Sequence, residues 1–143
     1  MKMKLTLLPI DDEISGFEIG EFYLFHEGNI ISSEHHQPNQ SIMIFIFLSS
    51  LLDELKALRA AKRNSWCVVS SANSSFTLYL EKKNINILIR NNATTIAFSF
   101  QAFCDLLYSS INSWLRIVQP KMDPVDGALC DLLESMRRFS QCS

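Results

Sequence analysis

The sequence predicts an α+β fold in which a mainly antiparallel sheet of about seven to eight strands packs against one central helix and two C-terminal helices. Three observations favour it. Apolar and polar residues alternate from residue 64 to about residue 100, which is the period of a half-buried strand. Apolar residues recur at helical spacing near residues 50–62 and in the last third of the chain. The 143 residues, 48% of them hydrophobic, suffice for a single domain over 1–143.

Three strands are expected in the N-terminal part of the chain. Residues 2–10 form the first strand, and the aromatic-rich residues 17–26 form the second. The turn-like sequence EGN then leads into a third strand at 29–33. Both alternation classes of the second strand contain apolar groups between Phe22 and Phe25, so we expect this strand to be covered on both faces, at least in part.

A fourth strand and the central helix are expected next. The segment SSEHHQPNQS, at 32–41, is interpreted as the loop before the β-branched and aromatic run SIMIFIF at 41–47, whose composition favours a strand. Ser50 then has the position of a helix N-cap, with Asp53 three residues later, and the helix covers about 50–62. Its buried stripe consists of Leu51, Leu55 and Leu58.

Four short strands follow, in the segments WCVVSS, SFTLYLE, NINILIR and TTIAFSF. The separators between them are short and turn-like, which predicts an antiparallel meander in which neighbours in sequence pair. The apolar residues expected on one face are Phe76, Leu78, Leu80, Ile85, Ile87 and Ile89.

Two helices are expected to complete the domain. Ser99 has the position of an N-cap, and Pro120 ends the first of these helices. The second begins with Asp123 as N-cap, Pro124 at the first helical position and Asp126 three residues after the cap. The buried stripes are expected to contain Phe103, Leu107, Ile111, Trp114 and Val118, and then Val125, Leu129, Leu132 and Met136.

The cysteines and the hydropathy pattern predict a cytoplasmic protein without a membrane partner. The four cysteines, Cys67, Cys104, Cys130 and Cys142, lie far apart without a CxxC pair, and we expect reduced core thiols. The longest unbroken apolar run has seven residues, at 42–48, which is too short to cross a bilayer.

Charge is unevenly distributed along the chain. Residues 1–34 carry a net charge of −5 and residues 35–92 one of +4. We expect the acidic N-terminal region to face a basic partner, because complementary charge accelerates association. The alternative is that these acids are solvated turns and edges that keep the chain soluble. The predicted partner-binding residues are Asp11, Asp12, Glu18, Glu21, Glu27, Glu34, His35 and His36.

Motifs for catalysis, cofactors and metals are absent from the sequence. It contains no G-x-S-x-G, no glycine-rich phosphate loop and no H-E-x-x-H. His35 and His36 are adjacent, which in a strand directs them to opposite faces, although Glu34, His35 and His26 could meet if the flanking strands form a hairpin. We expect a protein that is not an enzyme and binds no cofactor and no metal. A pI of about 5.9 and the lack of an RNP-like strand argue against nucleic acid.

Four blocks of the sequence resemble the small immunity proteins of bacterial contact-dependent growth inhibition and related polymorphic toxin systems. They are FYLFHEGNIISS (22–33), PNQSIMIFIFLSSLLDEL (38–55), NSSF (73–76) and DPVDGALCDLLESMRRF (123–139). The resemblance implies a cytoplasmic inhibitor that binds the toxin domain of a large secreted effector, often a nuclease, and blocks its active site. These families vary in fold and in binding residues, so no functional position is transferred from them.

Two other functions remain open at this stage. The first is a small-ligand or adaptor domain in which curved strands enclose an apolar pocket lined by aromatic residues. The second is a hydrolase that uses the region of His35 and His36, and this function ranks last because no catalytic motif surrounds the two histidines.

Overall fold

The α+β fold is confirmed in a computed structural model of the chain, which describes residues 1–7, 14–33 and 41–141. The described residues form two antiparallel sheets of four strands each, three α-helices and one short 3-10 turn. The elements are β1 Lys2–Leu7, β2 Ile19–His26, β3 Asn29–Ser32, β4 Ile42–Met43, α1 Ile44–Ala60, β5 Ser65–Ser70, β6 Thr77–Lys83, β7 Asn86–Asn91, β8 Thr94–Ser99, α2 Phe100–Val118 and α3 Gly127–Ser140.

Strand β2 is the centre of the first sheet. β1 pairs with one edge of β2, and β3 and β4 pair with different stretches of the other edge. Gly20 is required where β1, β2 and β4 meet, because a Cβ atom there would lie 2.2 Å from the carbonyl oxygen of Thr6. Phe22 and Leu24 are fully buried and Glu21 is 5% exposed, which confirms that β2 is covered on both faces.

The second sheet is the expected meander, with strand order β5-β6-β7-β8. Asn84 and Asn92, with φ of 56° and 52°, lie in its two tight turns, where asparagine tolerates the left-handed region better than most residues. Ile85 was expected beside Ile87 and Ile89 on the inner face, but it is 80% exposed. It lies in the β6–β7 turn, and the alternation of the strand does not continue through a turn.

The apolar run SIMIFIF is mainly helical, which corrects the predicted fourth strand. Only Ile42–Met43 pair with β2, and α1 begins at Ile44, six residues before Ser50. The start of α1 is buried on several sides, so its apolar residues show no helical period, and their composition alone suggested a strand. Met43 is the N-cap, and its N–H donates to Oδ1 of Asn73 at 2.8 Å.

Helix α2 confirms its predicted start, whereas α3 begins later than expected. The Oγ of Ser99 accepts the N–H of Ala102 at 3.3 Å. For α3 the N-cap is Asp126, because the carboxylate of Asp123 instead accepts the N–H of Val125 in a local turn. Val125 therefore lies outside the helix and is 80% exposed instead of buried. The other residues predicted on the two stripes are buried: Phe103, Leu107, Ile111, Trp114, Val118, Leu129, Leu132 and Met136.

Three phenylalanine rings connect the two sheets and α1 in one core. Phe22 of β2 lies 5.7 Å from Phe47 of α1 and 6.2 Å from Phe76, which directly precedes β6. Phe47 and Phe76 lie 5.6 Å apart, measured between ring centroids. These separations are in the range favoured by aromatic pairs, so the rings fill the space between the layers. α1 packs against β2, β5 and α3, while α2 packs against β1, β7 and β8.

A lysine from β6 closes the C-terminal end of α1. The Nζ of Lys82 donates to the carbonyl oxygens of Leu58, Arg59 and Ala61 at 3.1, 3.3 and 3.0 Å. The last carbonyls of a helix lack intrahelical partners and carry the negative end of its dipole. A single ammonium group therefore satisfies them and fixes α1 on the inner face of the second sheet.

Replacement of Lys82 should test this contact. Lys82→Met removes a charged donor but keeps most of the side-chain volume, so we expect the free energy of unfolding to fall by about 2 kcal/mol. Lys83→Met is the matched control, because the Lys83 side chain is 55% exposed and its loss should change stability by less than about 0.5 kcal/mol. Urea denaturation of both variants gives the comparison, and equal midpoints would contradict the role of Lys82.

Asp126 joins the start of α3 to the segment before β2. Its two carboxylate oxygens accept the N–H groups of Gly16 and Leu129, each at 3.0 Å. These hydrogen bonds stabilise the ionised carboxylate and lower the pKa of Asp126, and the bond from Gly16 has the largest effect. A Cβ atom at position 16 would lie 2.2 Å from Oδ1 of Asp126 and 2.5 Å from Cβ of Ala128, so a side chain there would have to displace the start of α3 or this carboxylate.

The lowered pKa of Asp126 predicts a pH-dependent contribution to stability. The ionised group stabilises the fold fully above the ordinary aspartate pKa of about 3.9, and this contribution is lost as the pH falls through the lower value of the folded state. Asp126→Asn should therefore differ most from the wild type at neutral pH, by less than about 1 kcal/mol because solvent screens the group. Urea midpoints across the acid range measure the difference, and Asp131→Asn, at an exposed position of α3, should show no such trend.

Candidate protein-binding surface

The outer face of the second sheet is left uncovered by the helices. α1 and α2 pack on the inner face, so the outward side chains of β5–β8 contact solvent. We call these outward residues the open face. At its centre are Trp66, Val68, Tyr79, Glu81, Leu88, Arg90, Thr95 and Ala97, and at the strand ends are Ser70, Thr77, Lys83, Asn86 and Ser99.

The strand register fixes the neighbours within the open face. Tyr79 lies opposite Arg90, and Glu81 lies opposite Leu88. Trp66 of β5 lies opposite Glu81. Tyr79, Arg90, Leu88 and Glu81 therefore form a four-sided arrangement across β6 and β7, with Trp66 beside it. Directly opposed side chains of this kind lie about 5 Å apart at Cβ and contact one another.

Large aromatic side chains are exposed on this face. Trp66 is 71% and Tyr79 is 43% exposed. The guanidinium of Arg90 lies 5.1 Å from the centroid of the Tyr79 ring, so the aromatic face and the cation hold each other in place. Together with Leu88 and Thr95, these residues line an open concavity of about 410 Å³. Tryptophan, tyrosine and arginine are the residues most enriched among those that dominate binding energy at protein interfaces.

The predicted acidic contact region is not one continuous patch among the described residues. Glu18 and Glu27 lie just outside the two ends of β2, so they are roughly 30 Å apart at 3.3 Å per residue. Glu27 is 82% exposed and lies 3.8 Å from Nε2 of His26. Glu21, between them, is buried, which corrects its expected surface position. The remaining predicted contact residues lie outside the described residues: Asp11, Asp12, Glu34, His35 and His36.

Glu21 has a structural contact instead. Its Oε2 accepts a hydrogen bond of 2.6 Å from Oγ of Ser33, and its Oε1 accepts one from Oγ of Ser41. Ser33 in turn makes two hydrogen bonds to the backbone of Phe22. The Oγ of Ser33 accepts the N–H of Phe22 at 3.0 Å, and the N–H of Ser33 donates to the carbonyl oxygen of Phe22 at 3.0 Å. The buried carboxylate therefore holds Ser33 and Ser41, two residues near the ends of the segment SSEHHQPNQS, against β2. A buried charge is tolerated where hydrogen bonds replace its hydration.

The cysteines are free thiols where the structure describes them. Burial, with a smaller effect of Glu54, raises the pKa of Cys67 to about 12, and burial raises the pKa of Cys104 to about 11. Both side chains are therefore thiols at neutral pH. Cys130 corrects the expectation of a core position, since it is exposed on the outer side of α3. Cys142 lies outside the described residues.

Neither a cluster of metal-binding side chains nor a membrane-spanning helix is formed by residues 1–7, 14–33 and 41–141. No group of three or more His, Cys, Asp or Glu side chains in these ranges could hold a metal ion. Phe22, Phe47 and Phe76 pack against each other in the core, so these three aromatic rings do not line a ligand pocket between them. No helix in the same ranges is long and apolar enough to cross a membrane.

Comparison of the chain with protein-family models, with curated proteins and with solved structures finds no match.

The open face was missed by reasoning from the sequence, although the sequence contains an indication of it. In the segments WCVVSS and SFTLYLE, the alternation class opposite to the buried one contains Trp66, Val68 and Tyr79. Apolar residues in the outward class predict a second contact surface, because a merely solvated face is polar.

The hydrogen bonds of Glu21 can be tested by replacement. Glu21→Gln keeps the shape of the side chain but exchanges one accepting oxygen for a donor group, which cannot accept a serine O–H. We expect the free energy of unfolding to fall by about 2 kcal/mol, as is typical when a charge-assisted buried hydrogen bond is lost. Glu27→Gln, at the exposed turn, should leave the urea midpoint unchanged. A neutral effect of Glu21→Gln would show that the contacts to Ser33 and Ser41 contribute nothing to stability.

Proposed function

We propose that this protein is an immunity protein, which binds and neutralises the toxin domain of a bacterial contact-dependent inhibition system in the cytoplasm. The proposal rests on one structural observation, the open face with Trp66, Tyr79, Leu88 and Arg90 at its centre. The resemblance of four sequence blocks to such proteins selects the toxin domain as the partner.

The open face has the composition of a binding surface rather than of an idle one. Trp66 is 71% exposed, so a partner that covers it removes much apolar surface from water. Burial of apolar surface makes the free energy of binding more favourable by about 25 cal/mol for each Å². Arg90 is already oriented by Tyr79, so little side-chain entropy is lost when it contacts a carboxylate or a carbonyl of the partner. Both features favour a protein partner.

Inhibition requires only that the complex covers the toxin's active site or the path of its substrate. The open concavity beside Trp66, of about 410 Å³, has room for a convex element of a partner protein. The four-stranded sheet beneath it is held rigid by the core and by Lys82. A rigid, preformed surface binds with a small ordering cost, which suits an inhibitor that must act as soon as a toxin enters.

Co-expression with the toxin domain of a candidate secreted effector, chosen from the genes that neighbour this one, tests the proposal. The wild-type protein should keep the cells alive. The double variant Trp66→Ala, Tyr79→Ala should lose protection and weaken the measured Kd by about 100-fold or more, as is expected when two central contacts are removed. Ile117→Ala is the control, because Ile117 of α2 is 69% exposed but lies outside the open face, and this variant should protect like the wild type.

The same assay separates the open face from the acidic region predicted from the sequence. Charge reversal at both Glu18 and Glu27 should leave affinity within about threefold, because distant exposed charges act mainly on the association rate. Loss of protection on that reversal, with normal binding by the Trp66 and Tyr79 variant, would move the interface to the N-terminal acids. Cells that die despite wild-type protein, or survive without it, would refute the immunity function itself.

A further inference from the structure

The centre of the open face carries two opposite charges on one diagonal and two apolar groups on the other. In the four-sided arrangement across β6 and β7, the corners Arg90 and Glu81 face each other diagonally, as do Tyr79 and Leu88. Among the residues that the structure describes, Glu81 has only a distant ion pair to Lys83 at 3.9 Å, with both side chains about half exposed. An ion pair of this kind contributes little, so the carboxylate of Glu81 is available to a second partner.

This pattern is complementary to itself. A two-fold axis that lies in the interface along the Tyr79–Leu88 diagonal exchanges the ends of the other diagonal. It places Arg90 of each copy opposite Glu81 of the other copy, and it stacks the apolar groups on their own equivalents. We infer that two copies of this chain pair face to face through the open face, with two Arg90–Glu81 ion pairs across the two-fold axis.

The geometry of such a pair follows from the strand spacing. Neighbouring strands lie about 4.8 Å apart, and residues i and i+2 of one strand lie about 6.7 Å apart. The Tyr79–Leu88 diagonal, and the axis along it, therefore makes an angle of roughly 35° with the strands. Rotation about this axis makes the strands of the two copies cross at twice that angle, roughly 70°. This angle lies near the orthogonal class of sheet packing. The face measures about 20 by 20 Å, so the pair covers on the order of 800 Å² in total, which is below the roughly 1,200 Å² of stable specific interfaces and in the range of weak, transient contacts. The dimer is therefore weak and reversible.

This inference goes beyond the proposed function and does not depend on it, because the pairing requires no other protein. The two are nevertheless linked, since a toxin domain that binds the open face must displace the second copy. The dimer covers Trp66, Tyr79 and Leu88 until a partner competes for them. Exposed apolar patches of this kind otherwise promote non-specific association.

Sedimentation velocity of the purified chain, from about 10 µM to about 1 mM, tests the pairing over the concentration range in which a weak dimer forms. The wild type should shift from monomer to dimer. Glu81→Arg and Arg90→Glu should each weaken association about tenfold or more, because each variant places like charges opposite one another. The double variant with both changes exchanges the positive and the negative charge at the same net charge. Its dimer dissociation constant should return to within about threefold of the wild-type value.

Arg116→Glu is the matched control, because it makes the same change of net charge on the exposed side of α2 and should leave dimerisation unchanged. Far-ultraviolet circular dichroism of each variant checks that the sheet is intact. A wild type that stays monomeric up to about 1 mM, or a double variant that stays monomeric while the wild type dimerises, would overturn the inference. Neither result would affect the test of toxin binding, which uses survival and a toxin Kd.

Discussion

The position of helix α1 depends on polar groups that the second sheet supplies at both of its ends. At the N-terminal end, Asn73 accepts the N–H of Met43, and at the C-terminal end Lys82 satisfies three carbonyl oxygens. A buried helix end without such partners would be costly, because each unpaired polar group loses its hydration. Both partners come from β6 or the turn before it, so α1 is fixed on the inner face of this sheet. The outer face is left open as a direct consequence.

Most of the architecture could be predicted from the sequence, because the second sheet follows local rules. Its strands alternate, its turns contain asparagine, and neighbours in sequence pair. The predicted element boundaries are wrong where neither periodicity nor a capping motif identifies a single start. The start of α1 is apolar on all sides, so its period is invisible, and the beginning of α3 depends on which of Asp123 and Asp126 caps it. Two alternative hydrogen bonds of similar strength decide the second case.

The site was harder to predict than the fold, because a surface is defined by distance and not by order along the chain. Glu18 and Glu27 are close in sequence, yet an extended strand separates them, and Glu21 between them is turned into the core by Ser33 and Ser41. Trp66 and Tyr79, by contrast, lie thirteen positions apart in the sequence but are neighbours in space, because their strands β5 and β6 pair directly. Among the described residues, net charge over the segment therefore does not indicate which acids are neighbours, because strand β2 separates Glu18 from Glu27.

The inferred self-pairing and the proposed toxin binding through one face are compatible in energetic terms. If half of the chains are paired, the apparent affinity for a toxin falls only about twofold, since the fraction of competent chains enters the dissociation constant linearly. A toxin that binds with two central contacts gains far more than this loss. The small area of the self-contact is thus what allows both roles, because a larger homodimer interface would protect Trp66 equally well but would slow its release. The diagonal of Arg90 and Glu81 has a different role, because its charges fix the register of the pair and add little to its strength.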